Sequence, residues 1–261
     1  MSDTGDVRVE RSGQVWTLVL SNPSKRNAIT WDMYDLLADA CRGIAADPDV
    51  RVVVVRGDAE GHAFAAGTDI GHFTEFTDGG DGVAYEHRVG AVLAELLDVR
   101  VPVVALIDGP AVGAGLAIAI GADVVVATPR STFGAPIART LGNCLPPWVV
   151  ARLQSRLGAS RSMAMLLTAR LIDAQEAHVA GLVHDVVPEA EIGARVGELA
   201  ERICRSAPLT LAGLKEIDRR LQKAVQSVEA DDILRRCYGS SDFRAGVEAF
   251  LAGSRPQWTG A

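Results

Sequence analysis

The amino-acid sequence predicts an α/β protein built on a parallel sheet. Three observations carry this. Short apolar, strand-like runs alternate with helical segments along the first half of the chain. The run Val50 to Arg56 is β-branched and lacks the polar alternation of a half-exposed strand. Two glycine-rich turns, His62 to Ile70 and Asp108 to Leu116, each follow such a run and open a helix. Strand, turn and helix in repetition is the pattern of βα units. A continuous β-branched run marks a strand covered on both faces.

The elements follow in order. Val7 to Glu10 and Val15 to Leu20 read as a hairpin turned at Ser12-Gly13. Ser21 to Ala28 is a loop of turn and basic residues. Thr30 is an N-cap, with Asp32 in the first turn, for a helix ending near Ala46. Val50 to Arg56 is the buried strand. After the first glycine turn, Thr77 to Gly82 reads as a mobile segment, followed by a helix from Val83 to Asp98. Pro102 to Ile107 and Asp123 to Thr128 are further strands, with the second glycine turn and a short helix between them. From Pro146 the pattern is helical, Asp173 to Glu176 has capping-box form, and Leu182 to Val187 is a last short strand. Glu189 to Ala252 is mostly helix, broken near Pro208 and Gly239. The tail from Ser254 to Ala261 is expected to be poorly ordered unless it docks.

Composition narrows the function. The chain has 261 residues, 48% of them hydrophobic, which allows one large domain or a domain with a small appendage. Its net charge of −7, with no basic block, argues against nucleic acid as a partner. No apolar run reaches membrane-spanning length, and Met1 to Asp6 is short and polar, so a cytoplasmic protein is expected. Cys41, Cys144, Cys204 and Cys237 are widely spaced and are expected to be reduced thiols.

The glycine turns hold the chemistry. A small-residue turn at a helix start leaves N–H groups free and aimed outward. Two such turns side by side can hold one negatively charged oxygen, as an enolate or a tetrahedral oxyanion requires. Other readings fail. Ile118 stands where GxGxxG needs glycine or alanine, no GK[ST] follows a glycine loop, and neither HExxH nor GxSxG occurs. The five histidines show no zinc spacing, so no metal is expected.

The segments AFAAGTDI and GPAVGAGLAIAIGADVVVA resemble the two signature segments of the crotonase (enoyl-CoA hydratase/isomerase) superfamily. LSNPSKRNAIT, RLIDAQEAHVAGLVHDVV and SSDFRAGVEAFLAGSRPQW resemble its N-terminal loop, its late helix-turn-strand and its C-terminal helix, in the correct order. The resemblance implies a crotonase-like spiral of ββα repeats over residues 1–200, with a helical C-terminal trimerisation region over 201–261. It also implies a homotrimer or dimer of trimers, and an acyl-CoA thioester substrate in fatty-acid or acyl-CoA metabolism. No separate cofactor is implied, coenzyme A being part of the substrate.

By that resemblance the backbone N–H groups of Thr68 and Ala114 polarise the thioester carbonyl, and Gly113 shapes the second turn. Lys25 and Arg26, before Asn27-Ala28, sit where the family contacts coenzyme A, although solvated loop charges are the plainer reading. Ala66 and Ile70 would line the adenine and pantetheine path, with Ala28 beside it. Asp69 either touches the ligand or stabilises a helix start.

The sequence departs from the family's hydratases, whose two glutamates fall on Ala117 and on Ile137 or Ala138. None of these can move a proton, so ordinary hydration is expected to be weak. Cys144, after Gly142-Asn143, is either a nucleophile whose pKa Arg139 lowers or a buried structural thiol. Arg139 binds an acyl-chain carboxylate or forms a surface ion pair. Glu75, Glu86 and His87 stand in or beside the segment expected to be mobile and could reach into the site from above, although solvent exposure is the simpler expectation for each. The leading expectation is an enzyme acting through a thioester enolate. The alternatives are a decarboxylase, thioester hydrolase or other lyase of this fold, or a silent acyl-CoA binder.

Overall fold

A computed structural model of the protein describes residues 5–225 and 228–261. The start of the polar segment read at Met1 to Asp6, and residues 226 and 227 of the long helical region, lie outside the described residues. The hairpin pairs β1 (Asp6–Ser12) with β2 (Val15–Ser21). Helix α1 (Trp31–Ala46) follows, and the Thr30 side chain accepts the Met33 N–H at its start, as its sequence position predicts. Then come β3 (Val52–Gly57), α2 (Gly79–Asp98), β4 (Val103–Ile107), β5 (Pro110–Val112), α3 (Ala114–Gly121), β6 (Val124–Ala127) and β7 (Thr132–Gly134). The remainder is α4 (Ile137–Thr140), α5 (Pro147–Leu157), α6 (Ala159–Leu167), β8 (Ile172–Asp173), α7 (Ala174–Val179) and β9 (Asp185–Val186). Four helices close the chain: α8 (Ile192–Cys204), α9 (Pro208–Val225), α10 (Asp231–Tyr238) and α11 (Ser241–Leu251). Residues 200 and 201 both lie within α8, so the expected division falls inside a helix.

The large sheet has the order β1-β2-β3-β4-β6-β9, parallel except for the hairpin. A smaller sheet has the order β5-β7-β8. Each of β3, β4 and β6 is followed by a short second-layer stretch before its helix. These stretches are Ala65, bridged to Ala111, then β5, then β7. This is the ββα repeat. Strand β3 is covered on both faces, as its valines require. Val53 and Val55 enter the main core, while Val52 and Val54 pack with Ile192 and Val196 of α8.

The structure corrects two readings. Thr77 to Gly82 is not a loose loop. Asp78 caps α2 and accepts the Gly80 N–H, while Asp81 accepts the Asp78 N–H at 3.2 Å, a reciprocal capping box. Two glycines in the first turn make room for α10, since a methyl group at Gly82 would run into the Tyr238 ring. The tail is docked on its own chain: Thr259 and Gly260 N–H donate to Asp242 at 2.7 and 2.9 Å. The second-layer strands, two or three residues each, carry no period long enough to read.

The α2–α10 contact yields a test. Gly82→Ala raises helix propensity by about 1 kcal/mol. It also forces a methyl group against a ring that hydrogen bonds to Glu86 and Asn143 hold in place. Overpacking wins. The variant is expected to lose about 1–3 kcal/mol in denaturant unfolding.

Candidate active site

The first glycine turn is stitched in on both sides by main-chain hydrogen bonds. On one side Ala66 N–H donates to Arg26 O at 3.1 Å, Ile29 N–H to Gly67 O at 2.8 Å, and Asp69 N–H to Ile29 O at 2.9 Å. On the other, Phe64 and Ala65 N–H donate to Pro110 O, and Val112 N–H to Ala65 O at 3.0 Å. Because Gly67 O and Asp69 N–H both engage Ile29, the alternation of extended backbone turns the Thr68 N–H away from Ile29.

The second turn is held as firmly. Gly113 N–H donates to Gly134 O at 3.1 Å. Gly113 then adopts φ 55°, ψ −116°, a conformation that disfavours any side chain. A Cβ there would lie 3.4 Å from Gly67 Cα, so the two turns touch. The first bond inside α3 runs from Ala117 N–H to Gly113 O, which leaves the N–H groups of Ala114, Gly115 and Leu116 ahead of it.

Both turns open on one cavity of ≈140 Å³. Ala66, Thr68, Ile70, Gly113 and Ala114 line it. So do Ala117 and Ile137, and most of the remaining wall is apolar: Val89, Leu93, Leu141 and Val149 among others. Two of its wall residues hold buried polar atoms without a hydrogen-bond partner, Asn143 Oδ1 and Trp148 Nε1.

Two features were not read from the sequence. First, the Thr68 hydroxyl bonds Tyr34 OH at 2.8 Å and Tyr85 OH at 2.6 Å, so α1 and α2 clamp the turn through its side chain. Second, Glu86 is buried and lines the cavity. Its carboxylate accepts a short hydrogen bond from Tyr238 OH, which accepts one from Asn143 Nδ2 at 2.9 Å. Burial pushes the Glu86 carboxyl up to about 7, although the Tyr238 bond pulls it down. The expectation of solvent exposure fails for Glu86 and holds for Glu75 and His87. The signal was available in part. Position 86 falls in the helical stripe of 82, 86, 89, 93 and 96, where an apolar residue belongs.

Comparison with known proteins decides the family. A sequence profile described as Enoyl-CoA hydratase/isomerase matches residues 10–261. The chain belongs to the enoyl-CoA hydratase/isomerase family. It is 33% identical over 258 residues to a carnitinyl-CoA dehydratase of Proteus mirabilis, covering 95% of this chain and 96% of that one. It superposes on an enoyl-CoA hydratase/carnithine racemase from Magnetospirillum magneticum with a TM-score of 0.79 at 31% identity, covering 98% and 96% of the two chains. It also superposes on a methylmalonyl-CoA decarboxylase complexed with 2S-carboxypropyl-CoA, with a TM-score of 0.87 at 25% identity and 98% coverage of each chain. The protein is thus an enzyme of a family that acts on acyl-CoA thioesters. The crotonase-like fold expected from the sequence is the observed one.

Other residues singled out from the sequence are not among those that line the cavity. Lys25 Nζ pairs with Asp69 at 2.8 Å, and Arg26 is exposed with a left-handed φ of 55°. Burial would raise the Asp69 carboxyl. The Lys25 hydrogen bond and the Gly71 N–H outweigh it and hold the group below its ordinary value. Asp69 therefore caps the 3₁₀ turn Ile70–Glu75 and anchors Lys25. Ala28 is buried beneath the seam. Arg139 is exposed and is not among the cavity walls. Of the two readings of Cys144, its surroundings favour the structural thiol. Burial first, and then the neighbouring Cys237 thiol, push the Cys144 thiol up, and Arg139 does not activate it. Among the described residues, no helix is long and apolar enough to cross a membrane.

The raised Glu86 carboxyl makes stability depend on pH. The folded protein holds this proton more tightly than an unfolded chain, where the group titrates near 4.5. Its contribution is fully present below pH 4.5 and is lost as pH rises through about 7. At full burial this amounts to about 3 kcal/mol. Denaturant midpoints of wild type are expected to fall across that window. Those of Glu86→Gln, which keeps an acceptor for Tyr238, are expected to fall less.

Proposed function

We propose that the protein binds an acyl-CoA thioester with its carbonyl oxygen between the backbone N–H groups of Thr68 and Ala114, and that these donors stabilise the enolate. One observation carries the reading: two touching glycine turns present these residues to a single, mostly apolar cavity. Donors fixed by main-chain bonds need no reorganisation as charge develops, and an apolar enclosure strengthens them. Each such donor is worth about 10²–10³ in rate. Because the second turn bends at Gly113, the methyl side chain of Ala114 need not redirect its N–H on this reading.

Ala66 and Ile70 would pass the pantetheine arm, with Lys25 and Arg26 at the rim meeting the phosphates of coenzyme A. Lys25 would then exchange or share its Asp69 partner. At the positions where the family's hydratases hold glutamates, this cavity has Ala117 and Ile137. Hydration of a simple enoyl-CoA loses about 10²–10⁴ for each absent proton-transfer group. The same apolar walls favour a second reading, loss of carbon dioxide from a carboxyacyl-CoA. That reaction forms the enolate without a base.

Self-association as a homotrimer, or a dimer of trimers, is part of the proposal. It is supported by α9, which exposes Leu214, Ile217 and Leu221 at helical spacing.

Two measurements test this. Calorimetry with butyryl-CoA is expected to show saturable binding at one site per protomer; no binding overturns the reading. With crotonyl-CoA, decay of the enoyl absorbance is expected to run orders of magnitude slower than for a family hydratase that has both glutamates. Separately, Leu214→Glu with Ile217→Glu is expected to shift the sedimenting species to the monomer while helical circular dichroism is kept.

A further inference from the structure

We propose that Glu86 is the group that moves protons to and from the acyl chain, with Tyr238 and Asn143 as its positioning residues. The inference deepens the acyl-CoA reading and rests on it.

Glu86 shares its cavity with Thr68 and Ala114. It occupies a core position of α2, where a carboxylate is expensive to keep and contributes nothing to packing that an apolar residue would not. Its bonded partner is a phenol rather than a cation. A carboxylate kept in the core by a neutral donor is poised to exchange its proton, whereas one held by arginine or lysine is not. The groups around it are neutral near pH 7. Burial raises the phenols of Tyr34 (α1), Tyr85 (α2) and Tyr238 (α10), and it raises the thiol of Cys144, which stands beside Cys237. A second cavity adjoins at Glu86, Pro146 and Trp148. Its arginines and lysines are already paired: Arg152 with Asp218 at 3.2 Å, Lys215 with Asp123 at 2.7 Å, and Arg219 and Lys223 with Asp98 at 3.0 and 3.5 Å. His87, also on that side, is bonded to Asp231 at 2.9 Å.

The step balances without a co-reactant. The Glu86 carboxylate takes the α-proton of the thioester. The C–H electron pair moves into the C–C bond and the carbonyl pair onto oxygen, giving an enolate held by the two N–H groups and a neutral Glu86. Return of the proton to the α-carbon completes exchange. Delivery to a more distant carbon of a conjugated chain moves the double bond. After decarboxylation a protonated Glu86 would quench the enolate.

Exchange of α-hydrogen for deuterium isolates this step whatever the natural acyl chain. Wild-type protein and butyryl-CoA are incubated in D₂O and the ester is followed by mass spectrometry. Enzyme-dependent α-deuteration is expected, rising with pH through about 7. Glu86→Gln is expected to lose about 10²–10⁴ of that rate while binding butyryl-CoA within about twofold of wild type, which also reports that it folds. Tyr238→Phe removes a hydrogen bond to the carboxylate, so its profile is expected to move to higher pH; a merely structural Tyr238 would leave the midpoint unmoved. Exchange by Glu86→Gln at the wild-type rate overturns the proposal, as does wild-type binding without exchange. Failure of wild type to bind any CoA ester overturns the acyl-CoA reading itself.

Discussion

The candidate site depends on one seam of main-chain hydrogen bonds, in which residues 64–69 are gripped from both sides. Three bonds tie the segment to residues 26–29, and three tie it to residues 110–112. Each is worth only about 1 kcal/mol net. Together they hold the extended segment whose remaining amides are those of Gly67 and Thr68. The seam also explains a costly loop. Arg26 and Asn27 both take left-handed φ angles, at roughly 1–2 kcal/mol per residue. The fully buried Asn27 side chain offsets this by donating to Asp58 O and Ala63 O and accepting from Asn22 N–H. The kink brings Arg26 O and Ile29 into register with the turn.

Side chains finish what the backbone begins. Thr68 accounts for one N–H by its backbone and for two tyrosines by its hydroxyl. Through Tyr85 and Glu86, consecutive on α2, the clamp on the turn and the buried carboxylate belong to one rigid helix. That helix starts at a capping box and is seated by glycines against α10, which supplies Tyr238. The capped start of α2, its packing and the placement of Glu86 are therefore one structural fact.

Much of this was legible in the sequence, for physical reasons that differ by element. Strand β3 was readable because burial on both faces demands an uninterrupted β-branched run. The start of α1 was readable because Thr30 solves a local problem, the orphan N–H groups of a first turn. The glycine turns were readable because their backbone angles exclude most side chains. What was not legible depends on the partner. Glu86 looks like any charged residue near a glycine-rich segment until α10 covers it. The sequence leaves the Cys144 thiol either activated by Arg139 or structural, and only the packing shows burial and Cys237 raising it while Arg139 lies exposed, off the cavity wall. The Asp78–Asp81 box was hidden by its glycines, which announce a loop unless the close approach of α10 is known.

A division of labour follows within the fold. On the proposed reading the oxyanion donors are backbone groups, so they would survive wide change in side chains as long as two turns keep their angles. Proton-transfer groups are side chains, and any element that reaches the cavity can provide one. Here α3 and α4 line the cavity with Ala117 and Ile137, while α2 brings a carboxylate, Glu86. On this reading, membership of the family would specify how a thioester is gripped more closely than what is done to it. If the proposed site holds an acyl chain, a carboxylate on α2 would meet it from another direction than one on α3 or α4. That direction, together with the shape of the apolar wall opposite, would then decide which carbon receives the proton.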